Sequence, residues 1–171
     1  SARREDTHLA DAIDPAAHWD DVYRGKAADA MSWFQQRPDM SLKLIGRTGV
    51  GGDAPVIDIG GGASSLAAHL LEAGFTDVSV LDIAATALAK ARAALGVRAA
   101  EIDWINSDIT AWAPARRYQL WHDRAALHFL TGGADRAAYA AALRAALALG
   151  GWAIIGGFAP GGPTQCSGLD I

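Results

Sequence analysis

The sequence predicts a three-layer αβα sandwich around a mostly parallel sheet. Three observations carry that prediction. Short apolar runs alternate with Ala/Leu/Arg-rich runs from Pro55 to Phe158. The short runs suit strands with helices on both faces. The longer runs mostly stop at glycine, at Gly74, Gly96 and Gly150, where a helix end favours it.

Taken in order, residues 15–25 begin a helix with Asp14 as N-cap and Pro15 at its first position. Residues 38–49, PDMSLKLIGRTG, begin another, with Pro38 first, Leu42, Leu44 and Ile45 as its apolar face, and Gly46 or Gly49 as its end. The glycines and proline of 49–55 make a loop. Strand PVIDIG leads to helix SSLAAHLLEAG, strand DVSVLDI to helix AATALAKARAALG, and strand IDWINSDI to a loop. Strand YQLWHDRA and helix DRAAYAAALRAALALG precede the last strand, GWAIIGGF, and 159–168 is a loop. Right-handed crossovers join such units.

The 171 residues fit one domain, and 51% hydrophobic with 20% charged residues supports a packed core. The net charge of −4 and the lack of a Lys/Arg run disfavour a nucleic-acid partner. The single Cys166 excludes an intrachain disulfide and a multi-cysteine zinc site. No signal-like apolar stretch follows Arg3 and Arg4, and no apolar segment is long enough to span a bilayer. A cytoplasmic protein without a metal is expected.

The chemistry gathers at the strand ends. In VIDIGGGASS, Gly60 and Gly62 fit a dinucleotide turn, but Ser65 stands at its third glycine. No Gly-Lys-Ser/Thr follows, so a P-loop is excluded. Asp58, two residues before Gly60, would repel a pyrophosphate at the helix N-terminus. The same carboxylate suits a ligand with an ammonium and no phosphate, such as S-adenosylmethionine. Asp82, 22 residues after Gly60, can accept from both ribose hydroxyls or cap the next helix.

With these residues the chain resembles the class I S-adenosylmethionine-dependent methyltransferases, whose fold is Rossmann-like. Asp58-x-Gly60-x-Gly62-x-Ser64 matches their Asp/Glu-x-Gly-x-Gly-x-Gly turn, with Ser64 for the last glycine. The resemblance assigns the ribose to Asp82, with Ile83 packed on the adenine. It assigns Asp108 of NSDIT to the adenine amino group and the Ile109 N–H to the ring; a surface turn is the plain alternative. It sets His122, Asp123, Arg124 and His128 of LWHDRAALHFL beside the methyl donor and acceptor. Asp123 or His128 would serve as general base, and Arg124 and His122 would meet the methionine end or the acceptor.

HWDDVYRGKAADAMSWFQQRP resembles the opening of a subgroup with an HW…Y…SWF segment, some members of which methylate protein lysines. Trp19, Tyr23, Trp33 and Phe34 can attract a sulfonium with their ring faces, and Tyr and Trp can bond a carboxylate through O–H and N–H; alternatively the rings staple the first helix to the core. Trp104, Trp112, Trp121 and Trp152 read as packing. Residues 1–48 then form a helical cap or lid, 55–158 the core and 159–171 a substrate-side loop. The implied acceptor is a small molecule or a protein, and the product S-adenosylhomocysteine. A donor-binding module without turnover and a nicotinamide-dependent oxidoreductase are the alternatives. Relatives carry seven strands against five here, so either the natural chain continues past 171 or a partner, such as a second copy, covers the bare edge of strand five.

Overall fold

A computed structural model of the chain describes residues 14–25, 30–31 and 33–171. Parts of the expected cap, residues 1–13, 26–29 and 32, lie outside the described residues. Helices α1 (Pro15–Gly25) and α2 (Asp39–Thr48) come first. Then follow β1 (Val56–Ile59), α3 (Leu66–Glu72), β2 (Val78–Asp82), α4 (Ala85–Leu95) and, after a 3₁₀ turn, β3 (Ile102–Asn106). The chain continues through β4 (Tyr118–Arg124), a 3₁₀ turn at Leu127–Phe129, α5 (Gly133–Ala146) and β5 (Leu147–Gly156). A small hairpin, β6 (Gln165–Cys166) and β7 (Leu169–Asp170), ends it.

The five long strands are parallel, in the order β3-β2-β1-β4-β5. The predicted αβα sandwich is therefore present. After β3 the chain returns across the sheet to lie on the far side of β1. A crevice opens at such a reversal, beyond the carboxyl ends of β1 and β4, because crossovers on either side leave in opposite directions.

Strand alternation sorts the core into two layers. Val56 of β1 and Leu120 of β4 are in register and pack with Ile45, Leu66 and Leu70. Ile57 and Trp121 are in register on the opposite face, with Tyr139 and Ala146 of α5. Every residue of β1 and β2 is buried, as a sheet covered on both faces requires.

Several local expectations change. Asp14 does cap α1, its Oδ1 accepting from the Ala16 N–H at 3.0 Å. Pro38 precedes α2 rather than opening it, and Ser41 joins Ile45 on the buried face while Leu44 turns outward. Helix α5 stops at Ala146, not Gly150. Leu147 turns extended and pairs with Tyr118, and the register then jumps to Leu120 opposite Trp152. Gly150, at φ 73°, serves that irregularity instead of a helix end. A Cβ on Gly151 would press on the Gln119 and Ala148 carbonyls. The expected loop after β5 contains a hairpin, with positive φ at Ser167 and Gly168 to make its turn.

Strand β5 is one edge of the sheet, β3 the other. Trp152 and Ile155 of β5, and Phe158 just after it, are about half exposed, so Trp152 does not pack as the other tryptophans do. Among the described residues no helix is long and apolar enough to cross a membrane.

Candidate functional site

The reversal between β1 and β4 holds a cavity of about 420 Å³, large enough for a nucleoside-sized ligand. Its floor is built by the turn after β1. Gly60 has φ 66°, which favours glycine, and its N–H bonds the Leu81 carbonyl at 2.7 Å. A Cβ on Gly61 would fall on the Asp58 carboxyl. One on Gly62 would lie 2.8 Å from both Ala87 Cβ and Asp82 Oδ2. Gly61 thus belongs with Gly60 and Gly62, a need the motif spacing does not reveal. Ser64 lines the cavity, and its Oγ accepts from the N–H of Leu66, the first residue of α3, at 3.1 Å.

Asp58 is buried at this turn and lines the cavity. Its Oδ1 lies 2.6 Å from His122 Nδ1, and its buried Oδ2 has no hydrogen-bond partner among the described residues. His122 Nε2 in turn lies 2.9 Å from Ser41 Oγ. The chain Asp58–His122–Ser41 continues the layer of Val56, Leu120 and Ile45 by one register step toward the crevice. His122 lines the cavity with both ring nitrogens engaged by protein partners. Ser41 went unnoticed; a serine one helical turn before buried Ile45 was the available signal.

Asp82 ends β2 beneath the same turn. Its Oδ2 accepts from the Gly62 N–H at 2.9 Å, and its Oδ1 from the Ala84 N–H at 2.8 Å. Burial pushes its carboxyl up to about 6, against the opposing pull of those two N–H groups. Both plain readings meet here, because the carboxylate braces α4 and also lines the cavity. Ile83, Asp108 and Ile109 line it too. Asp108 Oδ1 accepts from the Thr110 N–H and hydroxyl, each at 2.8 Å, so the acidic turn is also a structural one.

The period of β4 separates its three polar residues. Arg124 shares the cavity side with His122, and its Nη2 donates to the Trp33 carbonyl at 3.1 Å. Asp123 points to the other face, and the expectation that it sits at the reacting centre is corrected. It is fully buried. Its Oδ1 accepts from the Ala126 N–H at 2.7 Å. Its Oδ2 accepts from the Leu127 N–H at 3.1 Å and the Tyr139 hydroxyl at 2.6 Å. Tyr139 also accepts from the Trp121 indole N–H at 3.0 Å. Burial raises the Asp123 carboxyl and the Tyr139 hydroxyl alike. Asp123 holds the following 3₁₀ turn in place.

That turn carries His128 into the cavity. Its ring is 4.2 Å from Phe129 and stacks on Phe158 at 5.1 Å. Neither ring nitrogen has a hydrogen-bond partner among the described residues, and burial lowers its proton affinity. Burial thus favours the neutral ring, which stands in the cavity lining with the lone pair of one buried nitrogen unused.

Aromatic rings close the opposite wall. Trp19, Tyr23 and Trp33 line the cavity and also pack together, with Trp19 4.8 Å from Phe129 and 6.0 Å from Trp33. Burial, helped by the nearby Asp82 charge, raises the Tyr23 hydroxyl. Phe34 instead lines a smaller cavity behind the glycine turn. Cys166, Leu169 and Asp170 of the terminal hairpin reach the main cavity, and the Ser167 carbonyl lies 3.1 Å from His18 Nε2 of α1. No spacing in the sequence linked these two ends.

The residues fit an S-adenosylmethionine-type ligand: an unpartnered buried carboxyl oxygen, a turn cleared of side chains and a cavity of matching size. A comparison with known families matches residues 56–151 to one described as "Methyltransferase domain". A comparison with curated proteins finds no match. Among solved structures, the glycopeptide N-methyltransferase MtfA complexed with sinefungin is similar at TM-score 0.59 and 22% identity, over 68% of this chain and 51% of that one. CalS10, an amino pentose methyltransferase from Micromonospora echinaspora in a form bound to S-adenosylmethionine, is similar at TM-score 0.60 and 22% identity, over 90% and 61%. DesVI of Streptomyces venezuelae follows at TM-score 0.56 and 19% identity, over 84% and 57%. The chain thus spans about half to three-fifths of the length of these structures.

Proposed function

The chain belongs to the methyltransferase-domain family, and from that premise we propose that it transfers a methyl group from S-adenosylmethionine to an amine on a small molecule or protein. The observation that carries the donor is the buried Asp58 Oδ2 without a partner, a site for an ammonium and not for a diphosphate. When bound, the donor supplies an electrophilic methyl on a sulfonium, and S-adenosylhomocysteine is what remains.

The protein's own contribution is placement and exclusion of water. Asp58 takes the amino end, and Arg124 offers charge to the carboxylate. Asp82 accepts from the ribose hydroxyls, while Ile83, Asp108 and Ile109 bound the adenine. Trp19, Tyr23 and Trp33 present ring faces and edges to a cation. The acceptor enters beside His128. An amine that arrives protonated must lose a proton before its lone pair can attack, and the free nitrogen of His128 takes it. The names of similar proteins, a glycopeptide N-methyltransferase and an amino pentose methyltransferase, agree with an amine acceptor. So does the resemblance of the opening segment to a subgroup of which some members methylate protein lysines.

Calorimetric titration with S-adenosylhomocysteine tests the donor. Binding is expected, lost in Asp82→Ala; binding of NADH instead would favour the oxidoreductase reading. The pH series has a definite sign. Ribose hydroxyls bond the ionised Asp82, whose proton leaves at about pH 6. Affinity is expected to rise with pH through about 6 and to level off above it. In the ligand-free chain the same raised value works the other way. Its contribution to stability is full below about pH 4 and is lost as pH rises through about 6.

The half-exposed edge of β5, with Trp152 and Ile155, supports a second copy of the chain as its cover. Sedimentation is expected to give a dimer that Trp152→Lys converts to monomer; a wild-type monomer would end this reading.

A further inference from the structure

We propose that His122 and Ser41 form a relay that holds Asp58 as an uncompensated carboxylate aimed at the amino end of the donor, an inference that rests on the donor reading above. The three side chains come from three elements: Asp58 from β1, His122 from β4 and Ser41 from α2. All are buried, at 2%, 3% and 5% exposure. A buried ionised carboxylate is costly unless it is bonded, so its partner decides what charge the site presents.

Two protonation states of His122 satisfy the Asp58 bond, and they have opposite consequences. An imidazolium would neutralise Asp58 and leave nothing to attract an ammonium. A neutral imidazole with its proton on Nδ1 donates that proton to Asp58 Oδ1 and leaves the full negative charge in place. The neutral tautomer needs a donor at Nε2, and the Ser41 hydroxyl lies there at 2.9 Å; a hydroxyl could also accept from an imidazolium, but only the neutral ring gives the hydroxyl proton an acceptor at Nε2. Hydroxyl to Nε2, Nδ1–H to Oδ1: among the described residues every polar atom of the relay is then satisfied except Asp58 Oδ2. The relay also fixes the carboxyl rotation, because Oδ1 is held and Oδ2 lies against Gly61, where a Cβ would displace it. His122 and Ser41 are therefore positioning residues. Ser41 ties the orientation of Asp58 to the seating of α2, in the N-terminal cap, on the core.

The test separates the two ends of the donor. S-adenosylhomocysteine carries the ammonium; 5′-methylthioadenosine has the same nucleoside and thioether without it. Both are titrated calorimetrically into wild type, His122→Leu and His122→Asn, whose amide takes the place of Nδ1. The expected result is that His122→Leu weakens S-adenosylhomocysteine about tenfold or more, as loss of a bond to a charged group implies, and leaves 5′-methylthioadenosine within about twofold. His122→Asn is expected to recover most of the loss. His122→Gln, which keeps the reach to Ser41 and drops the bond to Asp58, is expected to behave like the leucine variant and replaces it if that variant does not fold. Equal weakening of both ligands, or of neither, would overturn the relay and leave His122 a packing residue. Wild type that binds both ligands equally well would overturn the ammonium role of Asp58 while sparing the nucleoside site. Wild type that binds neither would overturn the donor reading, and the relay with it.

Discussion

Gly62→Ala is expected to destroy the donor site and to lower stability by about 2 kcal/mol, the usual cost of overpacking a filled core. The added methyl would sit 2.8 Å from Ala87 Cβ, at the start of α4, and 2.8 Å from Asp82 Oδ2. Ala87 is fully buried and has nowhere to go. Asp82 can move only by releasing the Gly62 N–H, which it accepts at 2.9 Å. The substitution therefore strikes the turn and the ribose carboxylate together. S-adenosylhomocysteine affinity is expected to fall about tenfold or more, equivalent to ~1.4 kcal/mol. Gly46→Ala provides the contrast. It lies on the exposed side of α2 with open space around it, and it is expected to raise stability by about 0.5–1 kcal/mol with no change in binding. Thermal melts and calorimetry on both variants check the pair. Unchanged donor binding in Gly62→Ala would mean that the turn does not hold the ligand.

His128→Gln is expected to cut turnover about a hundredfold or more, within the range for loss of a positioned general base, while S-adenosylhomocysteine binds as in wild type. The glutamine fills similar space and can accept a hydrogen bond, but it cannot take a proton at neutral pH. The pH profile carries a second signature. A base works deprotonated, so the wild-type rate rises as pH climbs through the His128 pKa and is flat above it. Burial lowers that value, and the rising limb is expected below the ordinary histidine midpoint of about 6.5. In the glutamine variant this limb disappears. A variant with full turnover would remove His128 from the reaction and leave an acceptor that arrives already deprotonated.

Helix α4 and strands β1 and β2 were legible because their signals are local. Apolar runs, a glycine turn and a carboxylate after each strand are set by neighbours in the chain. The same locality failed at Gly150. A glycine after an Ala/Leu run reads as a helix end, but pairing of Leu147 with Tyr118 took that segment into the sheet. Long-range strand pairing outweighed local propensity there.

The donor side of the site followed the same division. Asp58, Gly60, Gly62, Asp82, Asp108 and Ile109 lie within a few residues of strand ends, and all but Gly62 line the main cavity; Gly62 backs it through Asp82. The acceptor side did not follow. LWHDRA places three polar residues in a row, and nothing in that order says which of them face the crevice. Two-residue alternation and the packing of α2 and α5 on opposite faces sent His122 and Arg124 one way and Asp123 the other.

The sequence by itself determined the fold class and the family, because spacing along a strand–turn–helix unit is enough to mark that turn and the carboxylates around it. Only the tertiary structure decided the partners of each carboxylate. Ser41 meets His122 across 81 residues and His18 meets Ser167 across 149. Contacts at that separation exist only once the sheet has closed its order and the helices have seated on it. Which oxygen of Asp58 is left without a partner among the described residues is a property of that assembly.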